Sequence, residues 1–339
     1  MKIAILGCGS RLKNVYSKIL LKLNHDMLVW NRTSEKAEKF CKENNCHHLK
    51  RIEDIKDKKI DLILCLASQK AHFELVKKLH DMSVSSPILL ETPAEDMRIL
   101  NIKMKIGSLE QWPKLPLEQF KELVFSNGLM SRPYFVENDG RSFDYHAIAQ
   151  LRNYMSLSKP TVATGFLKRF KNPGIKDMDG NLNTKDHEWT FGQFEMENGS
   201  IMNYKFSRTC KSLLSIPIQF LRSLSIDGSI VTGRIKEIGN DYEIMDFRLV
   251  DKLSKSVEIT RPTVNRHNGV TQAIKMAGLN WENPYSKFGF DDQQTAIATL
   301  ITEALNGKMY PYKESFIDNH CVGMMRRSGN NQQHIKFVI

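Results

Sequence analysis

Three places in this sequence have residue types and spacings that could do chemistry: a histidine early in a helix, a glycine pair after an apolar run, and a Glu-Thr-Pro step. His146 sits in Ser142-Phe143-Asp144-Tyr145-His146-Ala147-Ile148-Ala149-Gln150-Leu151-Arg152, where Ile148, Leu151 and Met155 share one helical face and Asp144 suits the N-cap. Near a helix N-terminus the dipole favours the neutral imidazole, which can take up or pass on a proton. Tyr145 is a second proton donor at the same place. Gly7-Cys8-Gly9, with Ser10 and Arg11 behind it, closes the apolar run Met1 to Leu6 and opens an amphipathic pattern from Arg11 through Leu23. Strand, glycine turn and helix N-terminus in that order suit a dinucleotide pyrophosphate, because glycines allow close backbone approach and the first helical turn offers unpaired N–H groups. Leu12 takes the third position of the G-x-G-x-x-G pattern, so the match is partial, and a plain tight turn stands as the alternative.

These residues need elements to hold them. Asp26 to Trp30 reads as a second strand, followed by Asn31-Arg32-Thr33-Ser34 and a Lys/Glu-rich helix to about Asn45. A carboxylate at this strand end would accept the ribose 2′-hydroxyl of NAD. Asn31 stands there instead, with Arg32, Thr33 and Ser34 able to hold a 2′-phosphate and no carboxylate to repel it, so NADP is expected in preference to NAD. Thr33 or Ser34 also suits the N-cap of the next helix. Lys59 to Cys65 is a buried strand whose turn, Leu66-Ala67-Ser68, leads into a helix carrying His72. Pro87 to Leu90 is a further strand and delivers Glu91-Thr92-Pro93.

With these spacings the chain resembles the glucose–fructose oxidoreductase / inositol dehydrogenase (Gfo/Idh/MocA) family of pyridine-nucleotide oxidoreductases. The resemblance rests on the glycine turn, on His72 and on a Glu-x-Pro about twenty residues further on, and it loosens in the second half. It implies that Gly7, Cys8, Gly9, Ser10, Arg11, Asn31, Arg32, Thr33, His72 and Glu91 serve the cofactor. It also implies that the nicotinamide lies against Cys65-Leu66-Ala67 and Glu91-Thr92, and that the Thr92–Pro93 bond is cis. The family's Glu-Lys-Pro lysine, which binds the reacting substrate oxygen, is replaced by Thr92, whose hydroxyl donates a hydrogen bond without charge. His146 matches the family's proton-transfer histidine, but its two flanking acids are replaced by Ser142 and Ala149.

The whole chain sets the limits. Its 339 residues allow two domains, and 41% hydrophobic with 26% charged residues is an ordinary globular composition. No apolar run approaches a membrane span of about 18 residues, and the N-terminal run is too short and too basic for a signal peptide, so a cytoplasmic address is expected. The net charge of +11 is scattered among acids with no arginine-rich arm, so neither nucleic acid nor membrane is expected as a partner. The six cysteines, at 8, 41, 46, 65, 210 and 321, show no paired framework and read as reduced thiols. Cys41, Cys46, His47 and His48 lack a second ligand cluster, so no metal is expected. Lys185, Asp186 and His187 read as a polar loop.

The expected architecture is α/β. Residues 1–115 form a Rossmann dinucleotide-binding domain, and residues 116–339 an α+β domain for substrate binding and oligomerisation, with a mostly antiparallel open sheet. Within the second, a helix from Leu117 to Ser126 and a late helix, Asp291 to Asn306, are expected, while Met309 to Ile339 shows no clear pattern. The resemblance implies an NADP-dependent oxidoreductase of a sugar, sugar nucleotide or related small carbonyl compound. His146 would be proton donor or acceptor, assisted by Tyr145 and Thr92, in a homodimer or homotetramer. An imine- or bilin-type reductase and a non-catalytic, NADP-binding sensor are the alternatives.

Overall fold

Ile3, Ala4, Ile5 and Leu6 are all fully buried, which marks their strand as the middle of a sheet covered on both faces. The computed structural model describes residues 1–139, 144–171, 174–176, 182–183, 187–207, 219–235, 244–251, 253–331 and 333–337. The chain divides into two compact units, Met1–Lys114 with Tyr285–Phe316, and Leu115–Pro284 with Ile317–Ile339.

The first unit is built on β1 (Lys2–Leu6), β2 (Asp26–Trp30), β3 (His47–His48), β4 (Leu62–Cys65), β5 (Ile88–Leu90) and β6 (Ile106–Ser108). All pair in parallel, in the order β3-β2-β1-β4-β5-β6. A π-helical turn, Leu12–Tyr16, follows β1 and runs into α1 (Ser17–Lys22); α2 is Ser34–Asn44 and α3 Gln69–Asp81. Strand alternation sorts the core. Ile3 and Ile5 pack with Leu12, Tyr16, Ile19 and Phe40, whereas Ala4 and Leu6 pack with Val76 and Leu79. Between Ala94 and Leu109, a 3₁₀ turn (Met97–Asn101) started by the Asp96 side chain comes first, and only Ile106–Ser108 is strand.

The segment Tyr285–Phe316 corrects the expected division of the chain. It belongs to the first unit, because Ile297, Ala298 and Ile301 bury their stripe against the face that carries Ile3, Ile5, Leu62 and Leu64. Their helix, Asp292–Leu305, starts in a capping box between Asp291 and Gln294 and ends at Asn306 and Gly307, as its sequence indicates.

The second unit opens with α4 (Pro116–Ser126), β7 (Pro133–Asp139) and α5 (Asp144–Tyr154). Next come β8 (Pro160–Phe170), the short pair β9 (Ile175–Lys176) and β10 (Leu182–Asn183), β11 (His187–Met196) and β12 (Ile201–Ser207). They are followed by β13 (Gln219–Ser225), β14 (Ile230–Ile235), β15 (Ile244–Val250), β16 (Val257–Thr260), β17 (Thr263–His267), β18 (Val270–Met276) and β19 (Leu279–Glu282). The helix Asp292–Leu305 of the first unit is α6, and the chain ends with α7 (Tyr312–Asn331) and β20 (Ile335–Lys336). The main sheet runs β16-β15-β14-β13-β7-β12-β11-β8-β20, and only β7 and β12 pair in parallel among the described strands. Its strands alternate: Phe194 and Met196 are buried and Glu195 exposed, while Leu221 and Ser223 are buried and Arg222 exposed. The buried set meets Phe120, Ile148, Leu151 and Met325 of the helices, and the other face carries Glu195 and Arg222 together with the exposed rings of Phe166 and Phe170. No helix among the described residues is long and apolar enough to cross a membrane.

Candidate functional site

The order of the first sheet places a topological switch between β1 and β4, where the loops leaving their carboxyl ends part to opposite faces and open a crevice. A cleft of about 380 Å³ lies there, lined by Gly7, Cys8 and Gly9 after β1, by Trp30 to Thr33 and Lys36 after β2, and by Leu66 to Ser68, Ala71, Glu74 and Leu75 after β4. The two glycines do different work. Gly7 has a φ of 110°, and a Cβ there would stand 2.7 Å from the Ala67 nitrogen, so only glycine lets the two loops touch. A Cβ on Gly9 would meet no atom of the described residues within 4 Å; it would point into open space beside the first helical turn. N–H groups of that turn have no intrahelical acceptor, so the backbone here can cradle an anion.

Hydrogen bonds brace the cradle. Gly7 N–H donates to Trp30 O at 2.8 Å, and Cys8 N–H to Asn31 Oδ1 at 3.0 Å. The Asn31 amide in turn donates to Thr33 O at 3.0 Å, so its role is to tie the glycine turn to the end of β2. His72 is 2% exposed, and its Nε2 donates to Ala67 O at 3.0 Å. Burial lowers the His72 pKa, which keeps a neutral ring pinning the second loop from beneath. Thr92 O accepts from Gln69 Nε2 at 3.0 Å, and the Thr92–Pro93 bond is cis.

Below the glycine turn, Glu91 is clamped from two sides. Arg11 reaches Glu91 Oε1 from Nε at 2.9 Å and from its terminal nitrogen at 2.7 Å, and the Tyr16 hydroxyl donates to Glu91 Oε2 at 2.5 Å. Burial first, then the Glu91 charge, holds the Tyr16 phenol well above its ordinary value of 10, so it remains a donor.

Of the residues expected at a cofactor, Gly7, Cys8, Gly9, Asn31, Arg32, Thr33, Leu66 and Ala67 line the cleft. Ser10, Arg11, Cys65, His72 and Glu91 stand behind or beside that lining. Trp30, Lys36, Ser68, Ala71, Glu74 and Leu75 line it without having been singled out; helical spacing from Ala71 to Glu74 and Leu75 was the available signal.

The candidate proton-transfer residues belong to the second unit. His146 is 5% exposed, in the first turn of α5, and its ring lies 4.2 Å from that of Tyr145 at a tilt of 44°. Ser142, Lys185, Asp186 and Cys210 lie outside the described residues, as do the side chains of Asp144 and His187. One and two turns beyond His146, Gln150 and Tyr154 bond the buried carboxylate of Glu118 on α4. Glu118 also pairs with Lys121 at 2.7 Å, both side chains at most 2% exposed, so α5 is fixed to α4 by a buried polar network. Arg152 pairs with Asp318 of α7 at 2.6 Å and donates to Leu157 O and Ser158 O. Among the described residues no group of His, Cys, Asp and Glu could hold a metal.

No family model matches the chain, and no curated protein matches it. Its fold does have close likenesses among solved structures. An NAD-binding oxidoreductase from Klebsiella pneumoniae superimposes with a TM-score of 0.70 at 9% identity, covering 100% of this chain and 99% of that one. An oxidoreductase from Agrobacterium radiobacter in complex with NAD+, L-tartaric acid and magnesium gives 0.67 at 13% identity, covering 99% and 98%. A UDP-N-acetylglucosamine 3-dehydrogenase from Acidithiobacillus ferrooxidans gives 0.63 at 11%, covering 98% and 99%. These likenesses establish the two-part fold over the whole chain.

They also overturn the expectation of NADP over NAD, since the first two of these structures are described with NAD. The cleft supplies the physical reason. The expectation assumed that no carboxylate faces a 2′-phosphate, yet Glu74 lines the same cleft as Arg32 and Lys36, and the Asn31 amide is committed to Cys8 and Thr33.

Proposed function

We propose that this chain is an NAD-dependent oxidoreductase of the Gfo/Idh/MocA type, acting on a small hydroxy or carbonyl compound of the sugar class. The observation that carries this reading is Gly9: a position where the protein leaves room at a helix N-terminus, beside a Gly7 that the protein itself fills. When bound, NAD accepts or returns the hydride. The chain's own residues do the rest. Gly9, Ser10 and the first helical turn receive the pyrophosphate, while Arg32 and Thr33 border the adenosine side. Leu66 and Ala67, held by His72, form the opposite wall, and Glu91 fixes the start of the Thr92–Pro93 segment. His146 gives or takes the proton that accompanies hydride transfer at the substrate oxygen, with Tyr145 as a second donor. Thr92 orients that oxygen through its hydroxyl.

A second reading, a binding protein without turnover, is favoured by Thr92, which brings no cation to stabilise a developing alkoxide. One experiment separates them. NADH fluorescence titration establishes binding, and NADH formation or consumption is followed across a panel of aldoses, inositols, hydroxy acids and nucleotide sugars. Saturable turnover on one class supports the oxidoreductase. Binding without turnover on the whole panel supports the sensor, and no NADH binding removes both.

A further inference from the structure

Cys41 and Cys46 form a pair that the dinucleotide cleft does not use. Cys41 lies in the last turn of α2, and Asn45, with a φ of 50°, folds the chain back so that Cys46 N–H donates to Cys41 O at 3.1 Å. The turn brings the sulfurs together: Cys46 Sγ donates to Cys41 Sγ at 3.1 Å, and both are free thiols. We propose that Cys41 and Cys46 are a redox-modification site, a dithiol that a hydroperoxide closes to a disulfide and a thiol reductant reopens.

The chemistry balances with the peroxide as the only oxidant. Cys41 thiolate attacks one peroxide oxygen, the O–O bond breaks, and Cys41 sulfenic acid and hydroxide form. Cys46 gives its proton to that hydroxide and attacks the Cys41 sulfur; the S–S bond forms, the S–O bond breaks, and a second hydroxide leaves to recover the first proton. Two thiols and one hydrogen peroxide thus become one disulfide and two waters.

The surroundings favour this pair over the other described thiols. The hydrogen bond from Cys46 lowers the Cys41 pKa, and the same bond raises that of Cys46, so the first proton leaves from Cys41 while Cys46 keeps its own. Cys65 and Cys321 are buried and pushed up to about 12, and burial also raises Cys8. Cys41 is itself 4% exposed, but Cys46 is half-buried, so a peroxide approaches the pair from the Cys46 side. The site also has a place in the fold: α2 starts beside Thr33, which with Lys36 lines the cleft, and Cys8 Sγ donates to Lys36 O at 3.5 Å. The new bond would anchor the far end of that helix to the start of β3. None of this depends on the function proposed above.

The test is mass mapping of the full chain after about one equivalent of hydrogen peroxide and alkylation of the remaining thiols. Trypsin cuts at Lys42, between the two cysteines, so a bond appears as two linked peptides. Expected are an intact mass lower by about 2 Da before alkylation, a linked Cys41–Cys46 species, and its loss with dithiothreitol. In Cys46→Ser the linked species should vanish and Cys41 should stop at a sulfenic acid trapped by dimedone. Full alkylation of both cysteines after peroxide in the wild-type chain would overturn the proposal, as would a disulfide that links either of them elsewhere.

Discussion

Arg11 and Tyr16 are five residues apart and close on the same carboxylate, Glu91, one from each side. Five residues are about 1.4 turns of an α-helix, which would point the two side chains well apart. The π-helical turn Leu12–Tyr16 brings positions five apart into line and so builds the clamp. Tyr16→Phe removes one donor and leaves Glu91 Oε2 in a site where the residue is 8% exposed. The expected cost is about 1.5–3 kcal/mol, read as a lower urea midpoint at unchanged slope. An unshifted midpoint would mean that the carboxylate has no need of the phenol.

Gly7→Ala and Gly9→Ala should separate the two glycine roles. Gly7→Ala drives a methyl into the Ala67 backbone at a φ of 110°, so stability and NADH binding should fall together. Gly9→Ala meets nothing in the described residues, so Tm should hold while NADH affinity drops about tenfold or more, a loss of about 1.4 kcal/mol. Equal NADH affinity for Gly9→Ala and wild type would place the pyrophosphate elsewhere.

Replacing His146 with Asn keeps a similar shape without a titratable ring. Turnover on whichever substrate the panel yields should fall by about two orders of magnitude, with NADH affinity unchanged. A variant that turns over at the wild-type rate would take the proton-transfer role from His146.

Stability should decline in mild acid, in part through His72. Burial lowers its folded pKa below the unfolded value of about 6.5, so the unfolded chain binds the proton more readily. The contribution is therefore complete above about pH 6.5 and is lost as pH falls toward the folded value. His25 and His320 are lowered by burial as well and act in the same direction. Urea midpoints between pH 7.5 and 5.5 should fall less steeply in His72→Gln than in the wild type. Parallel profiles would show that His72 titrates as it does in the unfolded chain.

Asp318→Ala removes one carboxylate from the Arg152 guanidinium, which is fully buried on α5. Loss of one partner from a buried pair typically costs about 3–5 kcal/mol, and a Tm unchanged within a degree or two would contradict the pairing.

Much of this was legible in the sequence because the signals are local. An apolar run entering Gly7, the Asp291–Gln294 cap and the strand alternation in the second unit each need only a few neighbouring residues. Cys8, Asn31 and Ala67 reach the cleft by the same strand-end logic. What was not legible depends on partners far away in the chain. In α7, Ser315, Asp318 and Ser328 are buried together with Ile317, Cys321 and Met325, which blurs any amphipathic stripe. The π-helical turn leaves Leu12, Tyr16 and Ile19 at spacings that also suit an α-helix, so the extra residue leaves no mark. Glu74 lies more than forty residues from Arg32 in the chain, and only the fold sets both in the lining of one cleft.

The return of Tyr285–Phe316 to the first unit has a consequence for dissection of the molecule. A fragment ending at Lys114 would lack Ile297, Ala298 and Ile301, and would bare the face of Ile3, Ile5, Leu62 and Leu64 to water. Such a piece invites aggregation, so the first unit cannot be harvested by simple truncation. Its dissection calls for a splice that joins residue 114 to residue 285 through a short linker. On the ribosome the same half waits for most of the chain before its last helix emerges.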